Sequence, residues 1–255
     1  MTRVTLPAIT ATDRQSFITA LNGYLVPDYF DAVQYENGTD GTTFASIDEG
    51  AARVAVYLKD GVRALAIDMY YSAGPNNSPR PTLGIAGASG IGVSMGSGLS
   101  IALNPSVNSL VVDTNHLWLG ILDAATGKIT GSTQYWPQIL FEKGANGTVN
   151  ASRVDINTTS SYYMKFFCIA VGRSATNTMQ EIPVSIAKAS AAQATRAKVN
   201  TYTELMRLFT EDAEDSVLLN TYLILTASSV DMSAIGTMTL NGTTYRVIGP
   251  LAYTE

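Results

Sequence analysis

Ala52-Arg-Val-Ala-Val-Tyr-Leu58, Lys59-Asp60-Gly61, Val62-Arg-Ala-Leu-Ala-Ile-Asp-Met-Tyr-Tyr71 is the stretch that decides the fold class. Apolar residues alternate on either side of an Asp-Gly pair, the residues that tolerate the positive φ of a tight two-residue turn. It predicts a β-hairpin. The same grammar recurs at the other end of the chain, where Met238-Thr-Leu-Asn241-Gly242-Thr-Thr-Tyr-Arg-Val-Ile248 predicts a second one. Between them, strands are expected at residues 42–48, 109–113, 116–122 and 129–136, with a turn at Ala125-Thr-Gly127-Lys128. Glu142 to Thr148 is expected to be turn-rich, and Tyr162 to Val171 and Leu218 to Leu225 are expected strands.

Two segments carry a helical period instead. Phe17, Ile18 and Leu21 fall on one stripe behind Thr12 or Asp13 as cap, and Pro27 sets the latest end. An alanine-rich run from Ala187 leads into Val199, Tyr202, Leu205, Met206 and Phe209 at helical spacing, so a helix is expected over residues 187–210. The expected fold is mainly β, a β-sandwich-like body with a short N-terminal helix and a smaller C-terminal α+β part. Residues 1–175 form the body and 176–255 the second part, with a single domain as the alternative.

Charge gives the clue to function. The 255 residues carry 16 Lys+Arg and 21 Asp+Glu, net −5. That balance, with a pI near 4.9, argues against specific nucleic-acid recognition. Only 15% of residues are charged, where a soluble domain carries roughly 25%. Between Ala64 and Phe141 the charges are Asp68, Arg80, Asp113, Asp123 and Lys128 alone. Interface cores are depleted of charge, so a surface set against other protein is the preferred cause over an unusually uncharged β surface.

No stretch is long and apolar enough to span a membrane, and the start lacks the apolar core of a signal peptide, so a cytosolic site of synthesis is expected. Asn37, Asn146, Asn150, Asn157 and Asn241 begin Asn-x-Ser/Thr triplets and are read as turn chemistry. The single cysteine, Cys168, is read as a buried hydrophobe.

Several motifs offer chemistry and fail on context. Gly92-Val-Ser94-Met-Gly96 has nucleophile-elbow spacing, but no helix pattern follows. The one histidine, His116, lies 22 residues on, leaving only Asp113 between them as acid. Gly90-Ile-Gly92 opens a phosphate-loop pattern that Met95 and the lack of Gly-Lys-Ser/Thr break. Glu211, Asp212, Glu214 and Asp215 lack calcium-loop spacing and read as a solvated turn, as do Asp48 and Glu49. His116 reads as a satisfied strand histidine beside Trp118; any metal it held would need carboxylate ligands. No catalytic residue, cofactor or metal is expected. Tyr70-Tyr71 and Tyr135-Trp136 could stack sugar rings or fill a core. The Gly/Ser-rich segment 84–98 and its margin carry Ile85, Ile91, Val93, Met95, Leu99 and Ile101, which mark a candidate interface loop.

The Ser/Thr/Asn/Gly-rich strands, the single Cys and His, and the closing hairpin Thr239-Leu-Asn-Gly-Thr-Thr-Tyr-Arg-Val-Ile-Gly-Pro-Leu-Ala252 together resemble virion structural proteins of tailed bacteriophages. The resemblance carries no functional residue over. It implies a β-rich subunit of a tail, neck or sheath, repeated around an axis, with extended segments lying on neighbouring copies. The expectation is a non-enzymatic, homo-oligomeric virion subunit contacting other virion proteins, assembled in the host cytoplasm and joined through residues 72–110 and the chain ends. The alternatives are a glycan- or receptor-binding β module, a capsid decoration protein and, last, a serine hydrolase at Ser94.

Overall fold

The computed structural model describes residues 1–69, 81–85, 101–130, 138–144, 147–156, 164–171, 180–184, 203–211, 216–226 and 233–255. These form three antiparallel sheets and one α-helix, α1 (Gln15–Leu25). The outer sheet has the order β3 (Thr43–Phe44), β2 (Ala32–Glu36), β4 (Val54–Lys59), β5 (Val62–Asp68), β6 (Thr82–Ile85), β7 (Ile101–Ala102). The central sheet runs β1 (Thr2–Leu6), β8 (Asn108–Val112), β9 (His116–Gly120), β10 (Ile139–Lys143), β11 (Val149–Ile156), β12 (Met164–Val171), β13 (Gln180–Val184). The C-terminal sheet runs β14 (Thr203–Glu211), β15 (Ser216–Thr226), β18 (Leu251–Tyr253), β17 (Thr243–Ile248), β16 (Ile235–Leu240).

Both expected hairpins form, and their turns show why. Asp60 and Gly61 sit at φ 52° and 73°, and Asn241 and Gly242 at 51° and 81°. Two successive positive φ angles match the right-handed twist of the flanking strands. The helix also forms as expected. Its first turn is held by Asp13, which accepts from the Ser16 N–H at 2.9 Å, and by Asp48, which accepts from the Gln15 N–H at 3.0 Å. Phe17, Ile18, Leu21 and Leu25 point into the core.

The layering follows from the period-two geometry of β9. All five residues of His116-Leu-Trp-Leu-Gly120 are buried, because both faces of the strand are covered. Leu117 and Leu119 share a core with α1, with Phe141 on β10 and with Tyr57, Leu65 and Ile67 of the outer sheet. Trp118 faces the opposite way and joins Val111, Leu140, Leu223, Leu251 and Tyr253. The central sheet is therefore the middle layer of a β sandwich. Gly120 is required by this packing: a Cβ there would stand 2.4 Å from Trp118 Cζ2.

Four local expectations are corrected. Residues 203–210, expected at the end of a helix, are strand β14, paired antiparallel to β15 from Thr203↔Thr226 to Glu211↔Ser216. Leu205, Met206 and Phe209 fit a helical stripe, but a partner strand takes up the backbone hydrogen bonds and overrides that local period. The first part of the expected helix, 187–202, lies outside the described residues. The strand expected at 42–48 is only Thr43–Phe44, since Ser46 to Glu49 turn back to hold α1. Glu142 and Lys143, expected in a turn, end β10, with the turn beginning at Gly144. Of the strand expected at 129–136, Ile129 makes a single bridge to Leu122, and 131–137 lie outside the described residues.

Candidate functional site

One cluster of buried polar and charged groups ties the central sheet to the C-terminal sheet across their shared face. β9 begins with His116, β10 brings Glu142 directly opposite it, and β15 brings Thr221 from the facing sheet. All three are buried. An unpaired polar group in such a seam costs about 1–3 kcal/mol, and each of these three has a partner.

Glu142 is the hub. Its Oε2 accepts from the Thr221 hydroxyl at 2.6 Å and its Oε1 from the Asn220 N–H at 2.7 Å. His116 Nε2 lies 3.5 Å from Oε2. Burial opposes ionisation of Glu142. The hydrogen bonds from His116, Asn220 and Thr221, with the His116 charge, outweigh it and hold this carboxyl below its ordinary range. On the other side of the ring, His116 Nδ1 lies 2.9 Å from Oε1 of Glu255, whose Oε2 accepts from the Asn115 N–H at 2.9 Å. Tyr253 stacks on the imidazole with ring centroids 4.0 Å apart.

Proton directions follow from this geometry. Thr221 has one hydroxyl hydrogen and gives it to Glu142, so a lone pair of Oγ1 faces His116 Nε2 at 3.3 Å. A carboxylate faces Nδ1. Both ring nitrogens look at oxygen atoms of the cluster. Nearby, Arg246 on β17 pairs with Asp113 at 3.3 Å, a second charged tie between the same two sheets. Burial first, then the Asp113 and Glu255 charges, push the Tyr253 hydroxyl well above its ordinary pKa, with Arg246 opposing.

In outline Thr221, His116 and Glu255 copy the order of a nucleophile, base and orienting acid. The proton bookkeeping disagrees, because Thr221 donates to Glu142 and not to the ring. Access disagrees too: Thr221 is 0% and His116 1% exposed. Glu142 and Glu255 also stand at opposite ring nitrogens, so they do not converge on one metal position, and no metal-binding group of His, Cys, Asp or Glu occurs among the described residues. What this cluster does is fasten two sheets.

His116 is thus a satisfied strand histidine beside Trp118, whose indole N–H gives 2.9 Å to Gln138 Oε1. Its partners were not legible in the sequence. Asp48 is a helix clamp, binding Arg14 Nε at 2.9 Å. Asn37 and Asn241 do serve turns, while Asn150 is buried in β11. Asn146 and Asn157 lie outside the described residues. Of the candidate interface residues, Ile85 ends β6 opposite Leu65, and Ile101 begins β7 opposite Leu83. Ile91, Val93, Met95 and Leu99 lie outside the described residues, as do Ser94, Tyr70, Tyr71, Tyr135, Trp136, Asp212, Glu214 and Asp215. Cys168 is on β12 opposite Ser152. No helix among the described residues is long and apolar enough to cross a membrane.

Among the described residues, fold and seam together define three antiparallel β layers with a polar clasp between two of them. Compared with known proteins, the chain matches no family model, no curated protein and no solved structure.

Proposed function

We propose that this chain is a non-enzymatic structural subunit of a homo-oligomeric assembly, of the kind that builds a phage tail, tail sheath or head-tail junction. The observation that carries the reading is how little charge the chain carries. Only 15% of its residues are charged, and among the described residues Arg14, Arg53, Lys59, Arg63, Lys143 and Arg246 are each paired with a carboxylate of the same chain, several of these pairs at the surface. Surfaces short of charge lose the usual protection against association, and repeated copies related by symmetry bury them. Other virion proteins, and the virion as its location, belong to this reading through the resemblance alone.

Part of the original clue has another cause. Within 64–141, strands β8, β9 and β10 are the middle layer and carry little charge because both their faces are buried. The support lies in exposed segments, not in that stretch as a whole.

The experiment is light scattering behind a sizing column, with negative-stain images of any large species. Rings, tubes or a defined oligomer are expected. A monomer of 27.1 kDa at all concentrations refutes the reading.

A further inference from the structure

We propose that the free edge of β16 is a docking edge for a second copy of this chain, and that the two β16 strands pair antiparallel about a two-fold axis centred on Thr237. The inference rests on the assembly reading and names its partner and contact.

Unpaired sheet edges are normally guarded by charge, proline, bulges or shortness. Five of the six edges among the described residues are. The outer sheet ends on β3 and β7, each two residues long. Arg3 stands on β1, and Glu181 and Pro183 on β13. β14 carries Glu204, Arg207 and Glu211 and a register shift between Arg207 and Phe209. β16 has none of these. Its six residues, Ile-Gly-Thr-Met-Thr-Leu, pair with β17 in unbroken register, and no charge occurs from Ser233 to Tyr245.

The hairpin also stands clear of its sheet. β17 meets β18 only over Arg246 to Ile248, so the part from Thr237 to Tyr245 projects beyond it, and Thr237, Thr239 and residues 241–244 are exposed. The two-residue turn makes Leu240 and Thr243 a hydrogen-bonded pair. Even-numbered residues of β16 therefore bond to β17, as the Gly249 N–H to Ala234 C=O bond of 2.7 Å continues. Ile235, Thr237 and Thr239 turn their backbone groups outward. At the base of this row the Ser233 C=O already accepts the Ile129 N–H at 3.0 Å; from Ile235 onward no described residue meets it.

Self-pairing is what such an edge fits. A two-fold axis perpendicular to the sheet sets Thr237 against Thr237 and Ile235 against Thr239, using all three outward residues of both copies. A charged residue at the axis would meet its own like charge, and here there is none. Threonine opposite threonine is a favourable cross-strand pair. A partner of opposite charge has nothing to recognise on this strand.

The test is sedimentation velocity on the full chain and on Thr237→Lys and Thr237→Glu, with circular dichroism to check each fold. Each variant alone sets like charges against each other and is expected to lower the average mass at least twofold at concentrations where the unmodified chain is associated. An equimolar mixture of the two is expected to restore it, which a misfolded variant would not do. If both variants sediment as the unmodified chain does, the β16 pairing is overturned and the assembly reading stands. Loss in each variant without recovery in the mixture overturns the two-fold register. An unmodified chain that stays monomeric overturns both.

Discussion

Replacing Glu142 by alanine removes the acceptor for two short charge-assisted hydrogen bonds and the carboxylate beside a buried imidazole. Bonds of that kind contribute about 1.5–3 kcal/mol each, and relief of carboxylate desolvation offsets part of the loss. Breaking one partner out of a buried pair costs about 3–5 kcal/mol in measured cases, so a loss near ~3 kcal/mol is expected. For a chain of this size that lowers Tm by about 6–12 °C. Urea denaturation read by circular dichroism gives the energy, and amide exchange in β15 and β18 shows where it is lost. A triple replacement, His116→Leu with Glu142→Met and Thr221→Val, should behave differently. It removes donors and acceptors together, Asn220 is exposed, and the Glu255 carboxylate, 20% exposed, keeps the Asn115 N–H, so stability should stay within about 1 kcal/mol of the unmodified chain or exceed it.

The pH dependence has a definite sign. The folded carboxyl of Glu142 lies below its ordinary value, so its stabilisation is present above the unfolded pKa, about 4.3, and is lost as pH falls through the folded value. The gap between unmodified and Glu142→Ala protein should be full at pH 7 and shrink below about pH 4. A cost under about 1 kcal/mol, a gap that stays flat to pH 3, or a triple variant as damaged as the single one would refute the desolvation argument.

Three further outcomes follow from single contacts. Gly120→Ala places a methyl 2.4 Å from the indole of fully buried Trp118 and should cost about 1–3 kcal/mol, seen as a lower urea midpoint and altered Trp fluorescence. Asp48→Ala leaves the Arg14 and Gln15 backbone N–H groups and the Arg14 Nε without their acceptor, while Arg14 Nη1 keeps the Ala52 carbonyl; loss of such a cap costs about 1–2 kcal/mol, and amide exchange should speed up in the first turn of α1. Asn150→Leu removes a buried amide that has no hydrogen-bond partner among the described residues, so thermal unfolding should show stability unchanged or raised.

What the sequence disclosed was local chemistry. Asp60-Gly61 and Asn241-Gly242 announce hairpins because few residue pairs adopt two positive φ angles in succession. The helix was legible from the stripe of Phe17, Ile18 and Leu21 and from Asp13 just ahead of it, which accepts from the Ser16 N–H. β14 was misread because Leu205, Met206 and Phe209 satisfy two periods, and only pairing with β15 decides between them. β10 ended in what looked like a turn because Glu142-Lys143 is polar; a glutamate can end a buried strand only where distant groups compensate it. Those groups are Asn220 and Thr221, 78 and 79 residues away, and nothing near Glu142 announces them. His116 was placed correctly, yet Glu255 is 139 residues from it.

Layer position changes what low charge means. A strand with one solvated face alternates, and its missing charges point to something that covers that face. A strand with two buried faces has no solvated positions to charge. β9 is of the second kind: Leu117 and Leu119 close one core and Trp118 the other. His116 and Glu142 are tolerated in such strands because β15 and Glu255 supply them with partners. β16 is of neither kind. It lies at an edge, its alternate residues are exposed, and solvent could hydrate a charge at Thr237 or Thr239 at little cost. Nothing among the described residues requires those positions to be neutral. Their neutrality is no consequence of burial, and that is why the uncharged edge bears on association where the longer uncharged middle layer does not.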